Sequence, residues 1–565
     1  MNTKINEFEV MAPVGSRESL AAAIQAGADS VYFGIGKLNM RSHSANHFTI
    51  DDLREIAATC NEHGIKTYLT VNTVIYDNDI PTMKEIIDAA KEAGISAVIA
   101  SDVAVMSYCN EVGEEVHLST QLNISNTEAL KFYARFADVS VLARELNMDQ
   151  VKHIHEQIEQ QNICGPMGKQ IRIEMFCHGA LCMAVSGKCY MSLANANRSA
   201  NRGECVQICR RSYTVTDNET GNQLEIDNKY VMSPKDLKTI RFIDRMMDAG
   251  VRVFKIEGRA RGPEYVYTVV KCYKEAIAAV LDGTFTEEKK DEWDEKLATV
   301  FNRGFWDGYY QGQTLGEWNK HYGSVATEKK VLVGKVMKYF SKLGVAEVAV
   351  EASTFDKGEK LLITGNTTGV MYLNADEIRY DLKPVETAQQ GWRVSIPVPD
   401  KVRPNDKLYK LITVNEIKEN KIMATINELQ DEVVEEFQDF TDWMDKYQML
   451  IDLGNELAPL DEKYKNEQNL IDGCQSRVWL QCDYVDGKLV FTADSDALIV
   501  KGIIALLIRV LSGHTPTEIM DADFYFVEKI GLKDHLSPTR SNGLLAMIKQ
   551  IRMYALAYKT KEAEA

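Results

Sequence analysis

Five cysteines fall within thirty-three residues near the middle of the chain: Cys177, Cys182, Cys189, Cys205 and Cys209. Thiols gathered this closely in a reducing compartment usually hold a metal ion or an iron–sulfur cluster, because thiolate is a soft, strongly donating ligand. The Cys205-x-x-x-Cys209 spacing suits zinc as well as a cluster, and spacing by itself leaves the two nearly even. Gly179, Gly187 and Gly203 stand two or three residues ahead of three of these cysteines. In such places glycine would let backbone N–H groups approach cluster sulfides. Cys60, Cys109, Cys164 and Cys272 are scattered and read as small buried hydrophobes.

A ligand set of this kind needs a rigid mount. Over the first 320 residues short apolar, β-branched runs alternate with helical patterns. The runs are Phe8–Ala12, Ser30–Gly34, Lys66–Val71, Ala97–Ala100, Glu115–Ser119, Val139–Leu142, Ile171–Phe176 and Val251–Glu257. Gly27, Gly64, Gly94 and Gly250 follow helical stretches, where a C-cap belongs. Eight βα units in this order predict an α/β fold, a (β/α)8 TIM-like barrel, with an open doubly wound sheet as the alternative. Barrels work at the C-terminal ends of their strands. Asn72, Ser101, Asp102, Thr120, Gln121, Asn123, Arg144, Glu145, Glu174, His178, Glu257 and Arg259 fall there. Each alone could be a cap, a turn or a surface ion pair; their collection at strand ends singles them out. The seventh unit makes a long excursion from Cys177 to about Asp248, with all five cysteines at its start. An insertion of that length after a barrel strand is where a cofactor-holding lid would be built.

The remaining text bounds the setting. A chain of 565 residues, 45% hydrophobic and 26% charged, is globular and long enough for two to four domains. Met1–Glu9 is polar and lacks the apolar core of a signal peptide. The longest apolar run, Ala497–Leu511, contains Lys501 and Arg509 and reads as a buried helix, not a membrane span. A cytoplasmic location with no membrane partner is therefore expected, with the eleven cysteines reduced or metal-bound. A net charge of −17 argues against nucleic-acid binding by the whole surface, but not against RNA as a partner. Local basic stretches remain, such as Arg198–Arg211.

The segment Glu174-x-Phe-x-His-Gly-Ala-x-Cys182-x-x-x-Ser-Gly-x-Cys189-x-x-Ser192 resembles the signature of the collagenase-like peptidase family. Met11-Ala-Pro-Val-Gly15, Ala26–Gly34, Val71-Asn72, Leu142–Leu146, Ser233–Leu237, Phe254–Arg259 and Phe301–Phe305 fall in the order of that family, over roughly residues 8–412. The resemblance implies a 4Fe-4S cluster and oxygen-independent hydroxylation with prephenate as hydroxyl source. Products in the family include 5-hydroxyuridine at the tRNA wobble position, a hydroxycytidine of ribosomal RNA and hydroxylated ubiquinone precursors. The run from Phe301 to Tyr310 is most similar to the tRNA branch. Where many relatives place a Cys after Ser-Lys-Asp-Leu, this chain has Lys238. The expected cluster ligands are Cys182, Cys189, Cys205 and Cys209, with Cys177 the spare. Arg144, Arg259 or Lys255 would hold the two carboxylates of prephenate, Arg being preferred for bidentate geometry. Glu174 and His178 are candidates for proton transfer. Glu257 and Arg259 would serve the site or pair across the barrel mouth.

Two further segments complete the chain. From Val331 to Leu411 short strands and turns predict a small β-barrel like the one this family carries after its catalytic barrel. From about Met423 the text changes, and Asp445–Gly454, Asn469-Leu-Ile-Asp-Gly-Cys474-Gln-Ser, Phe491–Asp496 and Leu536–Gly543 resemble the SufE family of sulfur acceptors. By that resemblance Cys474 accepts persulfide sulfur from a SufS-like cysteine desulfurase and passes it to the iron–sulfur assembly scaffold. Arg477 nearby would favour the thiolate. Cys482, in a predicted strand, reads as buried. The expected layout is a barrel over 1–325 with its Cys-rich insertion at about 177–248, a small β domain over 326–415, and an α+β SufE-like domain over 424–565. Three functions compete: a tRNA hydroxylase fused to a sulfur acceptor, a collagenase-like peptidase, and a sulfur-trafficking adaptor without hydroxylase activity. The chain has no His-Glu-x-x-His and nothing like a Gly-x-Ser-x-Gly elbow, which weighs against proteolysis.

Overall fold

The computed structural model describes residues 7–42, 48–210, 215–216, 223–224, 232–319, 323–413, 425–438, 443–458, 460–473, 476–536 and 538–564. Cys474 lies outside the described residues. The chain divides into two compact units, Met1–Val414 and Asn415–Ala565.

The first unit is built on a closed barrel. Seven strands come first: β1 (Glu9–Pro13), β2 (Ser30–Phe33), β3 (Lys66–Val71), β4 (Ala97–Ala100), β5 (Val116–Leu118), β6 (Val139–Val141) and β7 (Arg172–Gly179). An added strand, β8 (Asp236–Lys238), runs antiparallel to the end of β7. The eighth barrel strand, β9 (Val251–Ile256), pairs in parallel with both β7 and β1 and closes the ring. All eight predicted strands are present, and the open-sheet alternative is set aside by that closure. Each strand is almost wholly buried because helices cover it outside and side chains fill it inside. Met11, Tyr32, Tyr68, Ala97, Ile99, Val139 and Val253 form the interior apolar cluster. Helix ends follow the sequence signals: Thr49 and Asp52 form a capping box at Ile50–Glu62, and Gly94 caps Ile80–Ala93.

Between Glu328 and Thr413 eight strands make one antiparallel sheet. Its long strand, Glu328–Phe340, pairs with Val345–Val350 on one side and Lys407–Thr413 on the other. Val333, Val348, Leu361, Val394 and Leu408 give this sheet its own core. No pairing joins its two edge strands among the described residues, so the small β domain is an open sheet in its ladders. It is tied to the barrel through Gln25, which donates to Thr368 O at 2.7 Å and accepts from Val370 N at 2.8 Å.

The second unit has its own core of helices around a hairpin, Val478–Val485 with Lys488–Ser495. Asp486 and Gly487, both left-handed, make the two-residue turn. The apolar run forms a buried helix, Leu498–Leu511, whose charges are paired: Lys501 with Asp494 at 2.7 Å and Arg509 with Glu436 at 2.7 Å. Cys482 is buried on the hairpin, as expected. No described helix is long and apolar enough to cross a membrane.

Candidate functional site

At the C-terminal mouth of the barrel lies a cavity of about 1270 Å³, its open mouth included. Strand ends supply its floor and wall: Tyr32, Thr70, Asn72, Ser119, Arg144, Phe176, Lys255, Glu257 and Arg259. The chain from Ala180 to Arg210 crosses the mouth as a strap and supplies the roof, including Cys182, Cys189, Cys205 and Cys209. The four expected ligands therefore face one space. Cys209 is close enough to the other three for their charges to act on it; burial, with that crowding, pushes its thiol up to about 11 although Arg210 opposes the rise. Among the described residues no three His, Cys, Asp or Glu side chains close on a point where one ion could sit.

Cys177 is not part of this array. It is fully buried in β7, with Sγ 3.4 Å from Lys255 O, and burial raises its thiol well above the ordinary range. Lys238 is also elsewhere: its ammonium pairs with Asp294 at 2.7 Å and lies over the Phe305 ring. Lys238 is thus outside the cavity lining in this chain.

Seating of the strap explains the local sequence. Arg144 donates to Ser186 Oγ at 2.7 Å and to Ala180 O at 3.4 Å. Asn123 Nδ2 donates to Ser186 O at 2.9 Å. Arg202 pairs with Asp79, donates to Val74 O at 2.7 Å and stacks on Tyr76. Gly203 has φ +83°, and a Cβ there would meet Asn39 O at 2.2 Å. This glycine is used to press the strap onto the loop after β2.

The electrostatics of the floor are strongly cationic. Arg41, Arg144, Arg210, Lys255 and Arg259 line the cavity against one carboxylate, Glu257. Glu257 accepts from Arg41 at 2.8 Å and from Tyr32 Oη at 3.3 Å. Burial would raise its pKa, but Arg41 and Arg259 hold it down to about 2, so it stays ionised. Arg259 donates to Thr70 Oγ1 at 2.9 Å and to Asn39 Oδ1 at 3.3 Å. Its Nε is buried with no hydrogen-bond partner among the described residues. A buried guanidinium N–H left over in a cationic cavity fits an anionic ligand.

Two expected participants are not brought to the cavity. Glu174 is wholly buried beneath its floor, 2.8 Å from Lys255 Nζ and 3.7 Å from His117 Nδ1. Burial works to raise its pKa, yet Lys255 and His117 hold it lowered. It is an anchor for Lys255, which itself lines the cavity. His178 sits outside the barrel wall. An irregularity in the β7–β9 register between Lys255 and Ile256 turns its ring among Tyr265, Tyr273 and Phe305. Burial, with Lys238 adding, lowers its pKa to about 3, so it is neutral. Asp102 caps the helix Val103–Val112, and Glu145 stands at a neighbouring cleft. Cys164, expected to be buried, is half-exposed, whereas Cys60, Cys109 and Cys272 are buried as expected. Arg41 escaped the sequence reading because it comes from the loop after β2 and carries no motif.

Residues 15–320 match peptidase family U32, and residues 431–555 match the Fe-S metabolism associated domain, SufE. The chain belongs to peptidase family U32. It carries a SufE domain at its C-terminal end. A protein of Porphyromonas gingivalis named "Collagenase" is 68% identical over 72% of this chain and 98% of its own length. A tRNA hydroxylation protein of Bacillus subtilis is 32% identical over 63% of this chain and 83% of its own. A 23S rRNA 5-hydroxycytidine synthase of Escherichia coli is 34% identical over 50% of this chain and 41% of its own. Within this U32 chain the family signature, from Glu174 to Ser192, spans the last strand before the strap and the first two cavity cysteines.

Proposed function

We propose that the barrel is an oxygen-independent RNA hydroxylase, most specifically of the tRNA wobble uridine. The observation that carries this reading is the cavity: four thiols face a floor rich in arginine, a donor set for a 4Fe-4S cluster above a seat for a small polyanion. Cys182, Cys189, Cys205 and Cys209 would hold the cluster. When bound, it would supply a Lewis-acidic, redox-active iron. Arg41, Arg144 and Arg259 bind and orient the two carboxylates of prephenate as hydroxyl donor, and Lys255, fixed by Glu174, adds a fourth cation at the floor. Glu257, kept ionised, holds Arg41 in place. Relatives named for tRNA and rRNA hydroxylation support the substrate class.

The SufE domain would act with a cysteine desulfurase, Cys474 taking persulfide sulfur for cluster assembly. Loss of desulfurase stimulation in Cys474→Ser is the expected result; undiminished stimulation contradicts it. The 68% relative named "Collagenase" favours a second reading, proteolysis. Against it stands the lining of the cavity, which among the described residues contains no histidine to activate a nucleophile. Gelatin is the discriminating substrate: hydrolysis that survives removal of iron supports the peptidase. The hydroxylase reading is tested by mass spectrometry of tRNA nucleosides from a deletion strain, where loss of hydroxyuridine is expected and an unchanged profile counts against it.

A further inference from the structure

TIM-like barrels fill their interior with branched apolar side chains. Beside the apolar cluster of this one runs a line of ionisable groups. It begins at Glu115, half-buried just ahead of β5, whose Oε1 lies 3.3 Å from His117 Nε2. His117 is 1% exposed, and its Nδ1 faces Glu174 Oε2 at 3.7 Å. Neither of those two atoms has a hydrogen-bond partner among the described residues. Glu174 Oε1 accepts from Lys255 Nζ at 2.8 Å. Lys255 Nζ lies over the rings of Tyr32 and Phe176, which line the cavity with it. The Tyr68 ring packs on His117 with centroids 4.4 Å apart, while its hydroxyl donates to Glu9. Lys66 and Arg172 act on Glu115, and Asp138 feels both Glu115 and His117. The adjoining strands β4 and β6 carry no ionisable residue.

Glu174 thus stands as one carboxylate between two bases. With His117 neutral, its charge cancels that of Lys255. With His117 charged, the carboxylate is shared and one positive charge is left over at the cavity floor. We infer that His117 is a positioning residue for the anion: its imidazolium draws Glu174 toward itself and turns the Lys255 ammonium over to a ligand in the cavity, so that anion binding takes one proton into the barrel. The inference rests on the anion-binding reading of the floor. The proton comes from solvent by way of Glu115, the half-buried end of the line, and only an N–H bond on the imidazole is made. A shift of about 1 Å closes the gap between Nδ1 and Oε2 to a charged hydrogen bond. Burial lowers the pKa of His117, but Glu115 and Glu174 outweigh burial and hold it above the ordinary 6.5. The charged imidazole is the binding form, so affinity is full below that raised value and falls as the pH rises through it.

The test is calorimetry of the full chain with inorganic sulfate, which stays a dianion from about pH 6.5 to about pH 8.5, the range in which a raised histidine titrates. Only the binding that Arg259→Gln removes is counted. Wild type is expected to lose about 5- to 100-fold in affinity across that range and to take up as much as about one proton per sulfate, read from buffers of different ionisation enthalpy. His117→Gln, which hydrogen-bonds but cannot take a charge, removes both the proton uptake and the pH dependence. Glu115→Gln withdraws the anion at Nε2 and moves the fall to lower pH. A merely structural role for the line would leave both profiles like wild type. If wild-type binding is independent of pH, or His117→Gln keeps the wild-type dependence, the coupling is overturned and the anion seat stands. Should His117→Gln not fold, an unmoved profile in Glu115→Gln overturns it. If sulfate binds at neither end of the range, the anion reading fails and the coupling with it.

Discussion

Charge is buried in two layers of the same barrel and is handled differently in each. In the interior two buried carboxylates meet cations: Glu174 lies against Lys255, and Glu9 receives Lys66 at 2.8 Å, Tyr68 at 2.6 Å and Arg172 at 3.4 Å. At the mouth four arginines, Arg41, Arg144, Arg210 and Arg259, line a cavity with one carboxylate, in a chain whose net charge is −17. Paired burial holds a fold together and leaves nothing for a ligand. An unbalanced mouth is costly to maintain and fits a site that binds an anion. The cysteines divide the same way. Cys177 is sealed in the wall, whereas Cys182, Cys189, Cys205 and Cys209 face the cavity.

The largest contrast should appear in those thiols. Cys189→Ser, purified without oxygen, is expected to lose most of its iron, while Cys177→Ser retains it; equal iron in both would erase the distinction. Next comes the interior pair. Glu174→Gln leaves Lys255 as an uncompensated buried charge and should lower the unfolding free energy in urea by about 3–5 kcal/mol. Arg144→Gln at the mouth should cost only about 1 kcal/mol of stability through its lost hydrogen bonds, but weaken binding of a dicarboxylate donor by roughly 10- to 100-fold. Comparable stability losses in the two variants would collapse the comparison.

Acid titration probes both layers together. Glu9 and Glu257 each fall from an ordinary value of 4.5 to about 2 in the folded chain. Their contribution to stability is complete above about pH 4.5 and is lost as the pH falls toward 2. Glu9→Gln and Glu257→Gln should each flatten the fall of stability in that window; a slope as steep as wild type would show that these carboxylates are not held down. The smallest effect is expected at Lys238. Lys238→Cys breaks a half-buried pair with Asp294, costs about 1 kcal/mol or less, and leaves the iron content unchanged. A gain of iron would return that position to the ligand set.

The barrel was legible in the sequence because each strand is a short β-branched run closed off by a helix cap or turn glycine, signals that depend on neighbours alone. The cysteine strap was legible for the same reason: its ligand candidates lie within one segment. What was hidden depends on register and on loops. His178 follows Phe176 by two residues and by simple alternation would face the same way, but the irregularity beside β9 turns it to the helix layer. Arg41 reaches Glu257 across 216 positions of sequence, a pairing no local pattern announces. Glu174 carries the family signature yet lies under the floor, since its partner Lys255 is fixed only when the barrel closes.

The central claim, that the thiol-lined cavity hydroxylates RNA, is tested most directly by complementation. A deletion strain is supplied with wild type or with Cys189→Ser, and its tRNA nucleosides are analysed by mass spectrometry. The account predicts that the hydroxylated pyrimidine disappears on deletion, returns with wild type and stays absent with Cys189→Ser. A profile unchanged by deletion, or fully restored by Cys189→Ser, would contradict it.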